Sequence, residues 1–470
     1  MKPRTLLVLL VVVLALGAFI WFYERKLPST EERTELNKKV LRVEKDDVTA
    51  LTLQSSKGQV RLERVKGPRP KKKDVLAEEP AVEWRMTRPL AVRADSFAVD
   101  RLLDSLTNLE KNRALDEVNA KDVGLDKPRA VIRVTTQDGE KVLRLGAEVP
   151  PGGSLIAGFQ GEKGAYVVSD SILTEVDHDP KDWRDRTMFR GDRDAIQRIV
   201  LTGAAGGPVV LVRQPSGFWI EGPPADRDRA DKSLVDGLLA DLTGLQAEHF
   251  VDANKPLPEL GLAPPHGGVE VTLAGSPAPV RIDLGTAVTG QEAPAGQTSG
   301  ELVYAKEGDT LFEARTRLTE AIERAPAAWR ATQLSAFEVH QIDSATVRDG
   351  GTALSLTRAG TDWKRGSTTI SFLPVSDLLF AVTGAKASRL LTPAEAQALH
   401  ADLAKPLLGF ELRTKDAGNE TLTIYPPVKD GAPALVTGRQ TVLLLPAATL
   451  ADVQKKLQDV RAAKPTPPAK

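Results

Sequence analysis

A chain of 470 residues with 63 Lys and Arg against 63 Asp and Glu carries no formal net charge at neutral pH, which excludes a strongly basic nucleic-acid binder and an acidic, self-repelling tail protein. Without a single cysteine it can hold no disulfide framework, thiolate nucleophile, iron–sulfur ligand set, zinc ribbon or lipidated cysteine. The length suggests about three domains, and with 41% apolar but only 5% aromatic residues their cores must be built mostly of Leu, Val, Ile and Ala.

Leu6 to Tyr23 reads LLVLLVVVLALGAFIWFY, eighteen residues without a charge. As a helix that run covers about 27 Å, close to the roughly 30 Å hydrocarbon core of a bilayer. Lys2 and Arg4 precede it, and Trp21 and Tyr23 fall where an interfacial aromatic belt belongs. The spacing predicts a transmembrane anchor over residues 1–23, marked by Leu6, Trp21 and Tyr23. A cleaved signal peptide has a shorter apolar region, and the tolerable cleavage pattern Ala15-Leu16-Gly17 falls inside the run instead of after it. A buried helix of a soluble domain would not be apolar around its whole circumference. Arg25 and Lys26 follow the span, but a large downstream domain translocates largely regardless of charge. The expected topology is a short cytoplasmic stub, one span of the inner membrane and an extracytoplasmic bulk. Residues 24–39 read as a charged stalk.

Beyond the stalk the sequence repeats itself. LLDSLTNLEKNRAL from Leu102 matches LLADLTGLQAEHFV from Leu238 and, more loosely, LLFAVTGAKASRLL from Leu378. Leu102, Leu103, Leu106 and Leu109 follow the stripe of an amphipathic helix. Asp95 and Asp231 stand where the first two helices need an N-cap. Threonines recur five positions into each block, at Thr107, Thr243 and Thr383. Trp84, Trp219 and Trp363 precede the blocks by 18, 19 and 15 residues, and Leu125, Leu262 and Leu403 follow the block starts by 23, 24 and 25, each just ahead of a proline. Alternating stretches come next, at Val131–Val134, Val269–Leu273 and Phe410–Leu412. Leu145-Gly146 and Leu284-Gly285 are expected to close a further strand, and short apolar strands are expected at 166–168, 303–304 and 442–445. Trp183 and Trp329, each followed by arginine, end the first two copies; the third has no such tryptophan.

The expected architecture is therefore α+β: a transmembrane helix, then three repeated units with antiparallel or mixed sheets, over residues 40–190, 191–334 and 335–461, with a disordered tail over 462–470. Trp84, Trp219, Trp363, Leu102, Leu238 and Leu378 are read as structural core anchors, each indole N–H finding one partner. The competing reading of the tryptophans is a repeated stacking platform for glycan or peptide. The insertion 66–80 (KGPRPKKKDVLAEEP) reads as a hairpin tip, because Glu78 and Glu79 cancel most of the charge of Lys71, Lys72 and Lys73. Residues 285–300 read as a loop.

Signatures of catalysis are missing. There is no G-x-x-x-x-G-K-[ST] phosphate loop, no G-x-S-x-G elbow, no H-E-x-x-H and no G-x-G-x-x-G after a strand. His178, His249, His266, His340 and His400 are widely separated, so no pair shares a helical face around a metal. Asp177-His178-Asp179 is the densest polar cluster, and ahead of Pro180 it reads as a solvated turn. No catalytic, metal or cofactor residue is expected, and the chain is expected not to be an enzyme.

The opening MKPRTLLVLLVVVLALGAFIWFYER, the series Trp84, Leu102-Leu103, Gly124-Leu125 and Pro128, and its second copy resemble the bacterial domain-of-unknown-function 4340 family along essentially the whole chain. The resemblance implies a membrane-anchored extracytoplasmic protein. It implies as partners the permease, the ATPase and a large membrane-anchored auxiliary subunit of an ABC transporter of the gliding-motility auxiliary type. Catalytic residues are not defined for the family, and none is carried over. The expected function is an accessory or scaffold subunit; the alternative is a free-standing scaffold or ligand-binding protein of the cell envelope.

Overall fold

The structure, a computed structural model, describes residues 37–65, 83–203, 206–222, 227–251, 254–276, 278–289, 300–400, 402–415 and 418–465. The expected anchor with Leu6, Trp21 and Tyr23, the stalk as far as residue 36 and the insertion 66–80 lie outside the described residues. No helix among the described residues is long and apolar enough to cross a membrane.

The chain divides into two compact units, 1–186 and 187–470. The first holds one nine-stranded sheet made of β1 (Val48–Ser55), β2 (Gly58–Val65), β3 (Glu83–Arg88), β4 (Val92–Arg93), β5 (Arg113–Leu115), β6 (Ala130–Thr136), β7 (Gly139–Val149), β8 (Ser154–Phe159) and β9 (Ala165–Ser169). The order across the sheet is β4-β3-β2-β1-β6-β7-β8-β9-β5, and every pairing is antiparallel. Most neighbours are hairpins. The exception that shapes the unit is the step from β4 to β5, the two edges, which α1 (Ser96–Thr107) bridges across one face. That face collects Leu51, Leu53, Ile132, Val134, Leu143 and Leu145, each two residues from the next along its strand.

Asp95 fixes where α1 begins: its carboxylate accepts the N–H groups of Phe97 and Ala98, while its own N–H donates to the carbonyl of Trp183 at 2.9 Å. Val99, Leu102, Leu103 and Leu106 are buried under the helix. At roughly 1.5–3 kcal/mol per buried side chain, packing outweighs the cap's contribution of about 1 kcal/mol. The reverse face carries a smaller cluster of Leu125, Ile156, Ala165 and Val167, so the leucine ahead of the proline pins the loop after β5 against the back of the sheet.

The second unit contains two further nine-stranded sheets of the same order, with strands between Ile196 and Thr316 and between Ile342 and Leu445. Their main helices are α3 (Lys232–Thr243) and α5 (Phe372–Thr383), each of 12 residues like α1. The chain is thus an α+β protein of three repeated antiparallel units. Short terminal helices, α2 (Ser171–Val176) and α4 (Leu318–Glu323), lead into the 3₁₀ turns Pro180–Trp183 and Pro326–Trp329 in the first two copies. Isolated bridges frame each copy: Lys39 with Glu110 and Ala94 with Arg184; Thr187 with Gln246 and Ala230 with Arg330; Gln333 with Lys386 and Ile370 with Pro465.

The third copy departs from the expected pattern. It inserts α6 (Pro393–Ala398), started by a Thr392–Glu395 capping box, and ends in α7 (Ala447–Ala462), whose Leu450, Val453, Leu457 and Val460 are buried in the copy's core. Arg365 closes this helix by donating to the carbonyls of Val460 and Arg461 at 2.7 and 2.6 Å. Residues 462–465, expected to belong to a disordered tail, therefore finish a helix and bridge the sheet edge. A second correction concerns Leu145-Gly146 and Leu284-Gly285. The strands run on to Val149 and Ala287, and the register shifts just after these pairs, so the glycines mark bulges and residues 285–287 belong to a strand instead of a loop.

Candidate functional site

Each core is tied to its leading segment by an arginine stacked on an aromatic ring. Arg64 pairs across the sheet with Trp84, Arg213 with Phe218 and Arg358 with Trp363; the guanidinium carbons lie 5.4, 4.6 and 5.1 Å from the ring centroids. The same arginines donate to carbonyls of the 3₁₀ turn that opens each copy: Arg64 to Lys45 and Asp46, Arg213 to Arg193 and Ile196, Arg358 to Val339 and Ile342. Trp84 and Trp363 are fully buried, and Leu102, Leu238 and Leu378 lie in the three cores.

Trp219 does not hold the place its spacing suggested. Phe218 is the counterpart of Trp84 and Trp363, and one residue along a strand turns Trp219 to the opposite face. There Trp219 is buried against Gly438 of the third copy, a Cβ on which would stand 3.2 Å from the ring, with Arg227 4.8 Å from its centroid. Its indole N–H donates to Ser216 Oγ at 3.2 Å. The expected indole partner is missing at Trp84, Trp183, Trp329 and Trp363, whose buried Nε1 atoms have no acceptor among the described residues.

Trp219 lies beside an ion cluster that joins the second and third copies. All five buried charged residues among the described residues belong to it: Asp228, Arg229, Arg330, Glu420 and Arg439. The short strand Arg227–Arg229 supplies two of them. Arg439 Nε donates to Asp228 Oδ1 at 2.5 Å and its Nη2 to the Ala331 carbonyl at 2.7 Å; Thr441 Oγ1 donates to Asp228 Oδ2 at 2.5 Å; and Arg330 Nη1 lies 3.4 Å from the same oxygen. Arg229 Nη1 donates to Glu420 Oε1 at 2.8 Å, and its Nη2 to the Gln333 carbonyl. Glu420 also accepts from Ser335 Oγ at 2.5 Å and from the Ala336 N–H. Burial pushes the Arg229 guanidinium down to about 10, with the Glu420 carboxylate pulling the other way; burial likewise lowers Arg330 against the pull of Asp228. At about 10, Arg229 remains cationic at neutral pH. Nothing local in the sequence marks this site beyond the charged run Arg227-Asp228-Arg229, because the pairs are separated by 191 and 211 residues.

Two recesses flank the cluster, at the same place in the second and third copies. One, of about 360 Å³, lies between α3, the turn at Arg193 and the leading segment of the third copy. The other, of about 780 Å³, lies between α5, the turn at Val339 and the N-terminal end of α3. In the first unit the side chains of Asp177-His178-Asp179 diverge. Asp177 accepts from Ser56 Oγ at 3.0 Å, and hydrogen bonds from Ser55 and Ser56 hold its carboxyl below the usual carboxylate range. His178 lies edge-on to Trp183, 6.0 Å between centroids, and Asp179 precedes the turn Pro180–Trp183. Among the other histidines, His249, His266 and His340 each approach one glutamate, Glu313, Glu323 and Glu338. No group of three metal-ligating side chains gathers among the described residues.

A family model described as a domain of unknown function (DUF4340) matches residues 84–229 and 223–406. The chain belongs to the DUF4340 family. The DUF4340 matches are offset from the folded copies: the first starts at the aromatic of β3 and ends on the strand Arg227–Arg229, the second copy's equivalent of β4. No curated protein and no solved structure matches the chain.

Proposed function

We propose that this DUF4340 protein is a membrane-anchored, extracytoplasmic scaffold subunit without catalytic activity of its own, working with an ABC transporter of the gliding-motility auxiliary type. The observation that carries the reading is the use made of buried charge. Catalytic sites place perturbed ionisable groups in a cleft facing substrate, whereas the five buried charges described here are spent on each other and on the backbone at the junction of two repeats. Repetition of one unit extends the surface available to other proteins without adding a reaction centre. The apolar run Leu6–Tyr23 supports the anchor, and the balanced charge supports protein partners over nucleic acid.

The partners proposed are the permease, the ATPase and the large membrane-anchored auxiliary subunit; no cofactor is proposed. Affinity purification of the tagged full chain from detergent-solubilised membranes is expected to bring down the permease and the ATPase together. Repeated recovery of the chain without them would overturn the transporter assignment and leave a free-standing envelope scaffold.

A further inference from the structure

The outer face of the first unit's sheet, opposite α1, carries a row of arginines set directly across neighbouring strands. Thr52 of β1 pairs with Arg133 of β6 on one side and with Arg61 of β2 on the other, and Arg61 pairs in turn with Arg88 of β3. Neighbouring strands lie about 4.8 Å apart, and like charges placed opposite one another at that spacing cost stability. Two of the three are partly balanced: Arg61 Nε donates to Glu63 Oε1 at 2.7 Å, and Arg133 Nη1 to Glu140 Oε1 at 3.0 Å. The Arg88 guanidinium has no carboxylate partner among the described residues.

The fold does not require this row. By the same pairings that set Thr52 between Arg61 and Arg133, Val200 stands between Val210 and Glu270 in the second copy, and Thr346 between Ser355 and Glu411 in the third. Neither of these trios holds an arginine. In the first copy Thr52 and the three arginines line a recess of about 450 Å³ together with Glu63 and Glu140, and with Gln59 and Thr87. That size falls within the roughly 300–1,000 Å³ of small-molecule pockets. Every side chain lining it is polar or charged, so it offers nothing to an acyl chain or a stacked base. It sets three guanidiniums against two carboxylates, each of which takes its arginine through Oε1.

We infer that this recess binds the phosphate ester of a polyol, such as a sugar phosphate or glycerol phosphate. The phosphate lies among Arg61, Arg88 and Arg133, whose forked N–H groups match its oxygens and whose mutual repulsion it relieves. Hydroxyls of the polyol donate to Glu63 Oε2 and Glu140 Oε2 and exchange hydrogen bonds with Gln59, Thr52 and Thr87. A carboxylate-rich peptide fits less well, because the two glutamates repel it and it brings few hydroxyls to meet them. The inference goes beyond the scaffold reading and does not depend on the transporter assignment.

The test is titration calorimetry, at low ionic strength, of the full chain in phosphatidylcholine nanodiscs with glucose 6-phosphate and with glycerol 3-phosphate. The expected result is saturable binding of at least one ester, none of glucose or glycerol, and affinity for inorganic phosphate at least about tenfold weaker. Arg88→Gln and Arg133→Gln should each weaken ester binding about tenfold, the loss of hydrogen bonds to a charged group, with the thermal transition of the 1–186 unit kept. Arg88 has no ion pair to lose, so its variant decides the matter even if Arg133→Gln unfolds the unit. Arg281→Gln, on the second copy's sheet, should change nothing. Discs of phosphatidylglycerol and of phosphatidylserine separate the sources of the ligand, since both lipids are anionic and only the first presents a polyol. Equal ester affinity in the two supports a free ester; affinity about tenfold weaker in phosphatidylglycerol supports a lipid headgroup in the recess. No binding of either ester, equal binding of inorganic phosphate (an adventitious ion only), indifference to Arg88→Gln, or a polyglutamate peptide that binds and that neither ester displaces would each overturn the inference.

Discussion

Some glycines ask for space and not for an unusual backbone. Gly146 and Gly285 sit at the bulges behind Leu145 and Leu284, where a Cβ would come within 2.4 Å of the Val123 carbonyl and 2.1 Å of the Leu260 carbonyl. Those carbonyls belong to the loops that Leu125 and Leu262 pin to the back of the sheet, so neither can yield without lifting a packed leucine. Gly237, inside α3, has nothing within 4 Å of a built Cβ, and a helix interior favours alanine over glycine by about 0.5–1 kcal/mol. The same substitution should therefore change sign with position. Gly285→Ala is expected to destabilise the 187–470 unit by about 1–3 kcal/mol through overpacking, and Gly237→Ala to stabilise it by about 0.5–1 kcal/mol. Urea unfolding followed by tryptophan fluorescence reads both; a neutral Gly285→Ala would mean that the loop is not held against the bulge.

Among the elements, the main helices were the most legible part of the sequence, because period and cap act within a dozen residues. Asp95 and Asp231 cap as expected, whereas Ser371 makes no side-chain cap bond to α5. Asp231→Ala should then cost about 1 kcal/mol and Ser371→Ala close to nothing, measured as shifts in the unfolding midpoint of the same unit; equal losses would contradict the assignment of the caps. Strand register was much less legible. Side chains alternate with a period of two, so a slip of one residue between Phe218 and Trp219 exchanged a core position for a junction position, and only the pairing of Phe218 with Arg213 reveals it. Helix α7 was missed because its apolar residues sit in a Lys- and Asp-rich stretch that lacks the terminal tryptophan of the other copies. The ion cluster was invisible for a different reason: its partners come from strands and turns of two copies, and neither half shows what it will meet.

At the scale of the molecule, the three copies share a fold but not a way of using their edge strands. Register across the edge makes Arg93 of the first copy the equivalent of Arg229, and Val92 the equivalent of Asp228. Arg93 pairs with Glu83 while half exposed, a surface contact worth about 0–1 kcal/mol. Asp228 is fully buried between Arg439 and Arg330, where removing one partner strands the others in a medium that solvates them poorly. The neighbouring Arg229, at about 10, stays protonated at neutral pH. Asp228→Ala is therefore expected to cost about 3–5 kcal/mol, and Arg93→Ala less than about 1 kcal/mol. Calorimetry of the full chain should show the first substitution lowering the transition of the 187–470 unit alone, with accelerated proteolysis of the linker around Ala331–Phe337, and the second leaving both transitions in place. A loss below about 1 kcal/mol for Asp228→Ala would mean that apolar packing around Trp219 and Gly438 joins the copies, and that the buried charges set only the register in which they meet.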